Sequence, residues 1–468
     1  MAYNLARRPA GQVQLYRQRL AKSSQFPITN LLSVADVDEA LAAEGCSFRE
    51  RIFTPVITLW IFLGQVLDPD HSCRQAVLRF VAWLSAHGRK PCSSETGAYC
   101  RARQRLPEGV LRRLVRAKGG QLAEHSPRPW RWFGRDVKIA DGTTVSGPDT
   151  GPNQKAYPQP RTQKPGLGFP ILRLLVIFSL SVGTVLDAAV NPYVGKETGE
   201  TGMLRTLMYS LKRGDLLLGD RYFANYWIIA LATLLGIDVV FRQHQHRKVD
   251  FRKGRRLGQN DHRITWTKPK RPKWMSQEFF ASLPATLTLR EVRVRIPKGK
   301  NRTRAIVVVT TLLDAGRYKK GEIETLYQRR WQAELQLRSL KTTLQMDILR
   351  CKTPAMLRKE IWAHLLIYNL IRIAMAEAAQ SQPCQPWQIS FKGALQALLA
   401  FGGFWPTGQL ADPEAYYLDM LQALAEHRVG HRPDRVEPRA KKRRPKPLPL
   451  LTEPRQQVRA RLQAGGQS

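Results

Sequence analysis

Two aspartates end apolar segments in a chain that is otherwise strongly basic. Asp141 closes the segment VKIAD, and the residues after it, Gly142, Thr143 and Thr144, predict a turn that lets its carboxylate face a cleft. Asp220 closes a second segment, DLLLGD. Carboxylate oxygens bind hard divalent cations, and two such ions stabilise both the attacking and the leaving oxygen when a phosphodiester is cut. Together the two aspartates predict a metal-dependent phosphodiester site, whereas either one alone is typical of a turn or a cap.

A third carboxylate lies on a long helix predicted from about Lys320 to Leu344. At about 100° per residue, one face of this helix collects polar side chains within an arc of about 60°. These polar side chains are Tyr327, Arg330, Glu334 and Lys341. An ordinary amphipathic helix with charge pairs one turn apart does not explain this choice of polar residues. An adjoining apolar stripe, which we expect to pack on a sheet, consists of Leu326, Leu337, Leu340 and Leu344.

The charge of the chain indicates a polyanionic partner. Its 468 residues include 75 Lys and Arg against 37 Asp and Glu, a formal net charge of +38. Because such self-repulsion gives a metabolic enzyme no advantage, we expect DNA or RNA as the partner. A basic proteome or ribosome-like surroundings is the alternative explanation. Hydrophobic residues make up 43% of the chain, which excludes global disorder.

The sequence predicts neither export nor a membrane span. The longest apolar stretch, from Ile171 to Leu186, is interrupted by polar residues and is too short to cross a bilayer. The N-terminal residues lack the apolar core of a signal peptide. Six cysteines without a C-x-x-C pair are typical of reduced thiols. We therefore expect a cytoplasmic protein.

Residues 1–125 are predicted to form a helical DNA-binding region. Two segments, Phe53 to Val66 and Cys73 to Leu84, carry apolar residues at helical spacing. The stretch that follows is rich in arginine, and small helical units with an arginine-rich face are common among DNA-binding proteins. A solvated helix face is the alternative interpretation. The candidate DNA contacts are Arg101, Arg103 and Arg105.

From residue 130 the pattern changes to alternating strands and helices. Three strands, a helix, a strand, a helix and a strand follow one another in residues 130–242. This order is typical of a ribonuclease H-like mixed sheet flanked by helices. In such a sheet the first and fourth strands are neighbours, which would place Asp141 beside Asp220. The predicted fold class is therefore α/β, with a mixed sheet.

The core is expected to be interrupted once and followed by a basic tail. Residues 243–304 are basic, contain short β-type stretches and predict a β-rich insertion domain. Residues 305–380 return to the core with a strand, the helix of Glu334 and a long apolar helix that contains enough charged residues to be core. Residues 381–468 form the C-terminal region, whose Pro- and Arg-rich tail is predicted to be extended or disordered and to clamp DNA.

The segment YQRRWQAELQLRSLK, residues 327–341, resembles the YREK signature of bacterial DDE transposases of the insertion-sequence-4 family. Asp141 in ADGTT and Asp220 in GDRYF look like the first two acids of this family. N-terminal segments such as YCRARQRLP and the tail EPRAKKRRPKPLPLL are also similar, so the resemblance spans nearly the whole chain. The long separation of Asp220 from Glu334 matches the β-rich insertion that the family places before its Glu helix. The residues that match the signature are Tyr327, Arg330, Glu334 and Lys341.

The resemblance implies a specific chemistry. Asp141, Asp220 and Glu334 would hold two Mg²⁺ ions, with Mn²⁺ able to substitute. Water would nick the transposon end, and the freed 3′-OH would join target DNA, in related members after a hairpin forms on the transposon end. The implied partners are terminal inverted repeats and target DNA, with a homodimer pairing two ends. The implied location is the bacterial cytoplasm, associated with the nucleoid.

The resemblance also implies DNA contacts along the Glu334 helix. Tyr327, Arg330 and Lys341 would grip terminal phosphates, since Arg suits bidentate phosphate contact and Lys acts as a point charge. Trp331 follows Arg330 as it does in members that flip a base during hairpin formation, where stacking on Trp would offset the lost base stacking. The alternative for Trp331 is an aromatic side chain that fills a gap between the helix and the insertion.

Two other functions stay open at the level of the sequence. The first is a non-catalytic DNA-binding regulator derived from a transposase; the presence of all three acids argues against it. The second is a stand-alone ribonuclease H-like nuclease, which would need neither the long insertion nor the large basic N-terminal region.

Overall fold

The computed structural model describes residues 31–48, 51–297, 303–404, 412–430 and 449–465. Within these residues, helices at both ends of the chain surround one mixed sheet. The basic run 431–448, the main part of the predicted DNA-clamping tail, lies outside the described residues.

The N-terminal helices begin where their capping residues predict. Thr54 and Ser72 each accept a hydrogen bond from the backbone N–H three residues later, which satisfies a donor that the first helical turn leaves free. Pro55 opens the second helix, where a missing N–H has no cost. The described part of this region is thus helical, as predicted. Its helices are α1 Val34–Ala43, α2 Pro55–Leu67, α3 Cys73–Ala86, α4 Gly97–Arg105 and α5 Glu108–Glu124.

Five strands form one half of the sheet, in the order β3-β2-β1-β4-β5. β2 pairs antiparallel with β1 and β3, whereas β4 pairs in parallel with β1 and β5. Parallel neighbours require helical crossovers, and helices do precede β4 and β5. The predicted mixed α/β fold is confirmed. These strands are β1 Val137–Ser146, β2 Ile171–Ser179, β3 Val185–Pro192, β4 Leu216–Gly219 and β5 Asp238–Arg242.

Four further strands continue the same sheet. β9 pairs antiparallel with β5, and β8, β7 and β6 follow outward in that order. The predicted insertion is thus hydrogen-bonded to the core through β9. Buried Arg290 on β8 holds Asp261 of β7 at 2.5 Å, a pairing that a buried guanidinium requires. These strands are β6 Arg255–Gly258, β7 Asp261–Thr267, β8 Thr286–Pro297 and β9 Thr303–Thr310.

Helices cover both faces of the sheet. The remaining helices in the described part of the chain are α6 Gly151–Ala156, α7 Glu200–Leu207, α8 Tyr226–Leu235, α9 Gln277–Ser282, α10 Lys320–Gln328, α11 Trp331–Arg338, α12 Pro354–Gln380, α13 Phe391–Phe404, α14 Pro413–Glu426 and α15 Arg455–Gly465. α7 and α8 share a hydrophobic cluster with one face of the sheet. α5 and α12 pack on the opposite face, in a second cluster that also includes α1 and α2.

α12 is the central helix of the larger cluster. By length and composition it could cross a membrane, but 89% of its most apolar window is buried inside the protein. Its buried Asn369 accepts a hydrogen bond from the backbone N–H of Val185 and donates to the carbonyl of Val115. The prediction of a core helix in this segment is confirmed.

α5 approaches β3 closely at Gly119. A Cβ atom at this position would lie 2.0 Å from the carbonyl oxygen of Val185 and 2.8 Å from the Asn369 side chain. The next residue, Gly120, has nothing within 4 Å of the equivalent point. Only a glycine at position 119 therefore permits this contact between the N-terminal helices and the sheet.

The helix predicted from Lys320 to Leu344 is divided in the structure. Arg329 and Arg330 separate α10 from α11, and a π-helical turn, Ser339–Thr343, follows α11. At the break, backbone N–H groups bond to carbonyls three residues earlier, and the N–H of Arg329 is shared between the carbonyls of Leu326 and Thr325. The single uninterrupted helix was therefore a wrong prediction, because residue periodicity does not register a local change in hydrogen-bond spacing.

Candidate active site

Asp141 and Asp220 lie on neighbouring strands. β1 runs on past Asp141, so the turn predicted at Gly142 is wrong, and Asp141 lies within the strand, beyond the end of β4. The strand continues because β2 stays paired with it on the other side. The parallel register matches Ile139 with Leu218. Two more residues along each chain bring Asp141 level with Asp220.

A cavity of about 780 Å³ collects the predicted functional residues. Strand β1 and the end of β4 supply two acids, and the segment from α10 to the π-helical turn supplies the third acid with its polar neighbours. The predicted residues that line the cavity are Asp141, Asp220, Tyr327, Arg330, Glu334 and Lys341. Residues that are far apart in sequence thus converge on one site.

Arg330 bridges the helix and the sheet. Its Nη2 atom donates to Oε1 of Glu334 at 2.5 Å, and its Nη1 atom lies 3.7 Å from Oδ2 of Asp141. The Arg330 side chain is 19% exposed, so this guanidinium is held in the wall of the cavity. It compensates part of the negative charge of two acids.

The pKa of Asp141 is raised although the positively charged Arg330 lies nearby. Burial raises the pKa of Asp141 to about 6; Arg330 and the N–H of Gly142 lower it, and the carboxylates of Glu334 and Asp220 raise it further. The Gly142 N–H donates to Oδ1 of Asp141 at 3.0 Å. A carboxyl group with a raised pKa in a cleft lined by other acids is typical of a functional site.

The helix of Glu334 is anchored by the apolar stripe predicted for it. Tyr327 is 4% exposed, and its burial raises the pKa of the phenol to about 12. The π-helical turn carries Lys341 to the cavity, and such turns are frequent at functional sites. The buried residues of the stripe are Leu326, Leu337, Leu340 and Leu344.

Trp331 opens α11 and is 57% exposed. It does not line the cavity, although its neighbour Arg330 does. An exposure this large contradicts the alternative in which Trp331 fills a gap. The base-stacking role of Trp331 stays a prediction.

The three arginines predicted to contact DNA differ in their environments. Arg101 and Arg105 are exposed on α4, and their DNA contacts stay predictions. Arg103 is buried: it donates to Gln65 Oε1 at 3.1 Å, and its guanidinium lies 4.9 Å from the ring centroid of Tyr99. The prediction that Arg103 binds DNA is corrected, because a guanidinium enclosed in the core does not reach a phosphate.

The sequence reasoning missed several cationic side chains of the cavity. Arg221 directly follows Asp220, and Arg242 ends β5. Arg304 lies on β9, the strand paired with β5, so it reaches the same edge of the sheet. Basic residues at the ends of predicted core strands were the signal that could have identified Arg221 and Arg242. Burial, together with the charge of Arg304, lowers the pKa of Arg242.

The three acids fit divalent cations chemically. Asp141, Asp220 and Glu334 offer carboxylate oxygens, the ligands that Mg²⁺ and Mn²⁺ prefer, and the charges of Glu334 and Asp220 add to the effect of burial in raising the pKa of Asp141. As their side chains are placed, the described residues contain no group of three or more His, Cys, Asp and Glu that could hold a metal ion. Arg330 is in contact with Glu334 instead.

The three acids and the polar helix face lie in one domain of a known family. A family model for the transposase DDE domain matches residues 132–370, which include all three acids and the polar helix face. The chain belongs to this family. Such a domain implies a divalent metal cofactor and DNA as the partner.

Within this class the chain is similar to proteins of the IS4 type. It is 27% identical over 456 residues to the transposase InsG for insertion sequence element IS4 of Escherichia coli (strain K12), a match that covers 93% of this chain and 97% of that protein. Among solved structures, the cryo-EM structure of the piggyBac transposase synaptic complex with hairpin DNA matches with a TM-score of 0.41 and 10% identity, over 85% of this chain and 84% of that chain.

Proposed function

We propose that the chain cuts the ends of its own insertion sequence and joins the freed 3′-OH ends to target DNA, using two divalent ions, Mg²⁺ or Mn²⁺. The observation that carries this proposal is the single cavity lined by Asp141, Asp220 and Glu334. Acidic groups supply the ligands, and the surrounding cations supply the contacts that a DNA backbone needs.

The three acids would hold the ions, which when bound would stabilise the attacking and leaving oxygens of the phosphodiester. The other residues act on the DNA. Arg330, which bonds to Glu334 in the protein alone, would turn its N–H donors to a phosphate, and Lys341 contributes a point charge. With a pKa of about 12, the phenol of Tyr327 stays protonated at neutral pH and donates a hydrogen bond.

The finer steps of this proposal concern strand order and assembly. Cleavage of the second strand proceeds through a hairpin on the transposon end, with exposed Trp331 stacking on a flipped base. Arg101 and Arg105 contact the terminal inverted repeats. A homodimer pairs the two ends, and the protein works in the bacterial cytoplasm at the nucleoid.

The test is incubation of the full chain with the DNA that flanks its own gene, in Mg²⁺ or Mn²⁺. We expect end-specific nicks that require metal, and we expect Glu334→Gln to abolish them while end binding persists. Glu322→Gln, at an exposed position on α10, is the matched control and should cleave normally.

Three outcomes contradict the proposal. Cleavage by Glu334→Gln near the wild-type rate removes the third acid from the mechanism. Nicks that ignore the ends favour a stand-alone nuclease. Specific end binding without cleavage in either metal favours a regulator.

A further inference from the structure

The cavity has an exposed aromatic side chain in its wall, on the side of the second acid. Two of the described residues that line the cavity, Tyr222 and Tyr327, are aromatic. Tyr327 is 4% exposed, whereas Tyr222 is 53% exposed. An aromatic ring that faces solvent inside a cationic cleft offers a surface on which a base can stack.

The backbone of Tyr222 is fixed to the second acid. Its N–H donates to Oδ1 of Asp220 at 2.8 Å, and its carbonyl accepts a hydrogen bond from the Asn225 side chain at 3.2 Å. The backbone of Tyr222 is therefore held beside Asp220. A substrate that contacts both groups is positioned by one short segment of chain.

The ring itself is supported from the side. The Arg221 guanidinium lies 5.3 Å from the ring centroid, and His244 approaches at 6.3 Å with its ring inclined by 65°. Arg221 in turn donates to Gln245 Oε1 at 2.7 Å, so the turn after β5 holds this arrangement. Among the described residues, no hydrogen bond ties down the phenol oxygen of Tyr222. The neighbours support the ring and leave much of its surface free.

The rest of the cavity selects the chemical class of the ligand. Its cationic lining suits a phosphodiester backbone, and a base next to a bound phosphate needs a flat surface to replace the stacking that it loses. These cationic residues are Arg221, Arg242, Arg304, Arg330, Arg338 and Lys341. Trp331 lies outside the cavity lining and does not supply this surface.

We propose that Tyr222 is a substrate-binding residue, which stacks on the nucleobase next to the phosphodiester that is cut. This inference rests on the proposed function and adds to it a base contact on the Asp220 side of the cavity. The stacking contact needs the ring of Tyr222 and not its hydroxyl group. The contact therefore requires that a base is present but does not depend on which base it is.

The experiment compares intact end DNA with DNA that lacks one base. Cleavage by the full-length wild-type chain first maps the cut position, and duplexes are then made with an abasic nucleotide on either side of it. Tyr222→Leu and Tyr222→Ala should lower the cleavage rate on intact DNA by roughly 10- to 100-fold, the usual effect of removing one stacking aromatic. On the abasic duplex that lacks the stacked base, these variants and the wild type should cleave at similar rates. Tyr222→Phe should match the wild type on every duplex.

The control is Tyr209→Ala, because Tyr209 is 65% exposed and does not line the cavity. This variant should cleave at the wild-type rate. Equal rates for Tyr222→Leu and wild type on intact DNA overturn the inference. So does an equal loss on intact and abasic DNA, or a loss in Tyr222→Phe. If the wild type itself leaves every end uncut, the proposed function fails and this inference falls with it.

Discussion

Arg330 and Asp141 together show how the site tolerates its own charge. One guanidinium touches Glu334 and approaches Asp141, yet burial and the neighbouring acids still raise the pKa of Asp141 to about 6. In the protein alone, ionisation of Asp141 is therefore less favourable than in the unfolded chain, although Asp141 is mostly ionised at neutral pH. This has a consequence for stability that can be measured without DNA.

Asp141→Asn is expected to stabilise the metal-free protein at pH 8. The pKa of Asp141 is about 6 in the folded chain, against an ordinary value of 3.8 for an aspartate. The protonated form therefore contributes stability that is complete below pH 3.8 and is lost as the pH rises through 6. Removing the charge should gain on the order of 2–3 kcal/mol at pH 8 and little at pH 4, as measured by urea unfolding. Asp347→Asn, at an exposed aspartate, should show no such pH dependence; the same gain at both pH values would contradict the assignment.

Arg330→Ala and Lys341→Ala should each slow end cleavage by about one to two orders of magnitude. Hydrogen bonds to charged groups contribute about 1.5–3 kcal/mol, which corresponds to this loss in rate. Lys319→Ala, at an exposed position just before α10, should keep the wild-type rate in the same assay. Equal losses for Lys319→Ala and Lys341→Ala would show that total charge, and not the cavity, sets the rate.

Arg329→Ala is unsuitable as a control for Arg330→Ala, although Arg329 is the neighbouring arginine in the sequence. Burial lowers its pKa, and its Nη2 atom is buried without a hydrogen-bond partner among the described residues. A change at Arg329 would alter packing at the break between α10 and α11, so it would mix stability with activity.

At the scale of the elements, the contact of α5 with β3 can be tested by two adjacent glycines. Gly119→Ala should destabilise the protein strongly, by several kcal/mol, because its methyl group would overlap the backbone of β3. Gly120→Ala, with free space around it, should stabilise α5 by about 0.5–1 kcal/mol. Thermal or urea unfolding of both variants measures the difference. Similar effects at the two positions would mean that α5 does not pack on β3 at Gly119.

The same elements show what the sequence could predict. Hydrophobic runs and turn residues predicted the order of strands and helices in residues 130–242, apart from the short helix α6. The extension of β1 beyond Asp141 depends on its pairing with β2, and the break before α11 depends on packing against the sheet. Such long-range pairing is not encoded in local periodicity. The burial of Arg103 was missed for the same reason, since its partner Gln65 lies on another helix.

At the scale of the whole molecule, the net charge of +38 predicts DNA binding that depends steeply on salt. Each phosphate contact contributes a slope of about −0.9 to the logarithm of affinity against the logarithm of salt concentration. Replacing Arg101 and Arg105 together by Ala should make the slope shallower by about 1.8. Fluorescence anisotropy of the full chain with labelled end DNA measures this slope.

Arg103→Ala is the internal contrast for this measurement. Because Arg103 is bonded to Gln65 in the core, its loss should cost about 2 kcal/mol of folding free energy. The salt slope should stay unchanged in conditions where the variant is folded. A shallower slope for Arg103→Ala alone would show that Arg103 does contact DNA.

The continuous sheet has a mechanical consequence. Strands β6 to β9 belong to the same hydrogen-bonded sheet as the strands next to Asp141 and Asp220, and β8 also touches α10, where the N–H of Arg295 donates to Glu324 at 2.9 Å. Two attachments of this kind restrict the movement of the outer strands relative to the acids. A force that a DNA duplex exerts on the outer strands would therefore be transmitted through the whole sheet. Part of that force would reach the helix of Glu334.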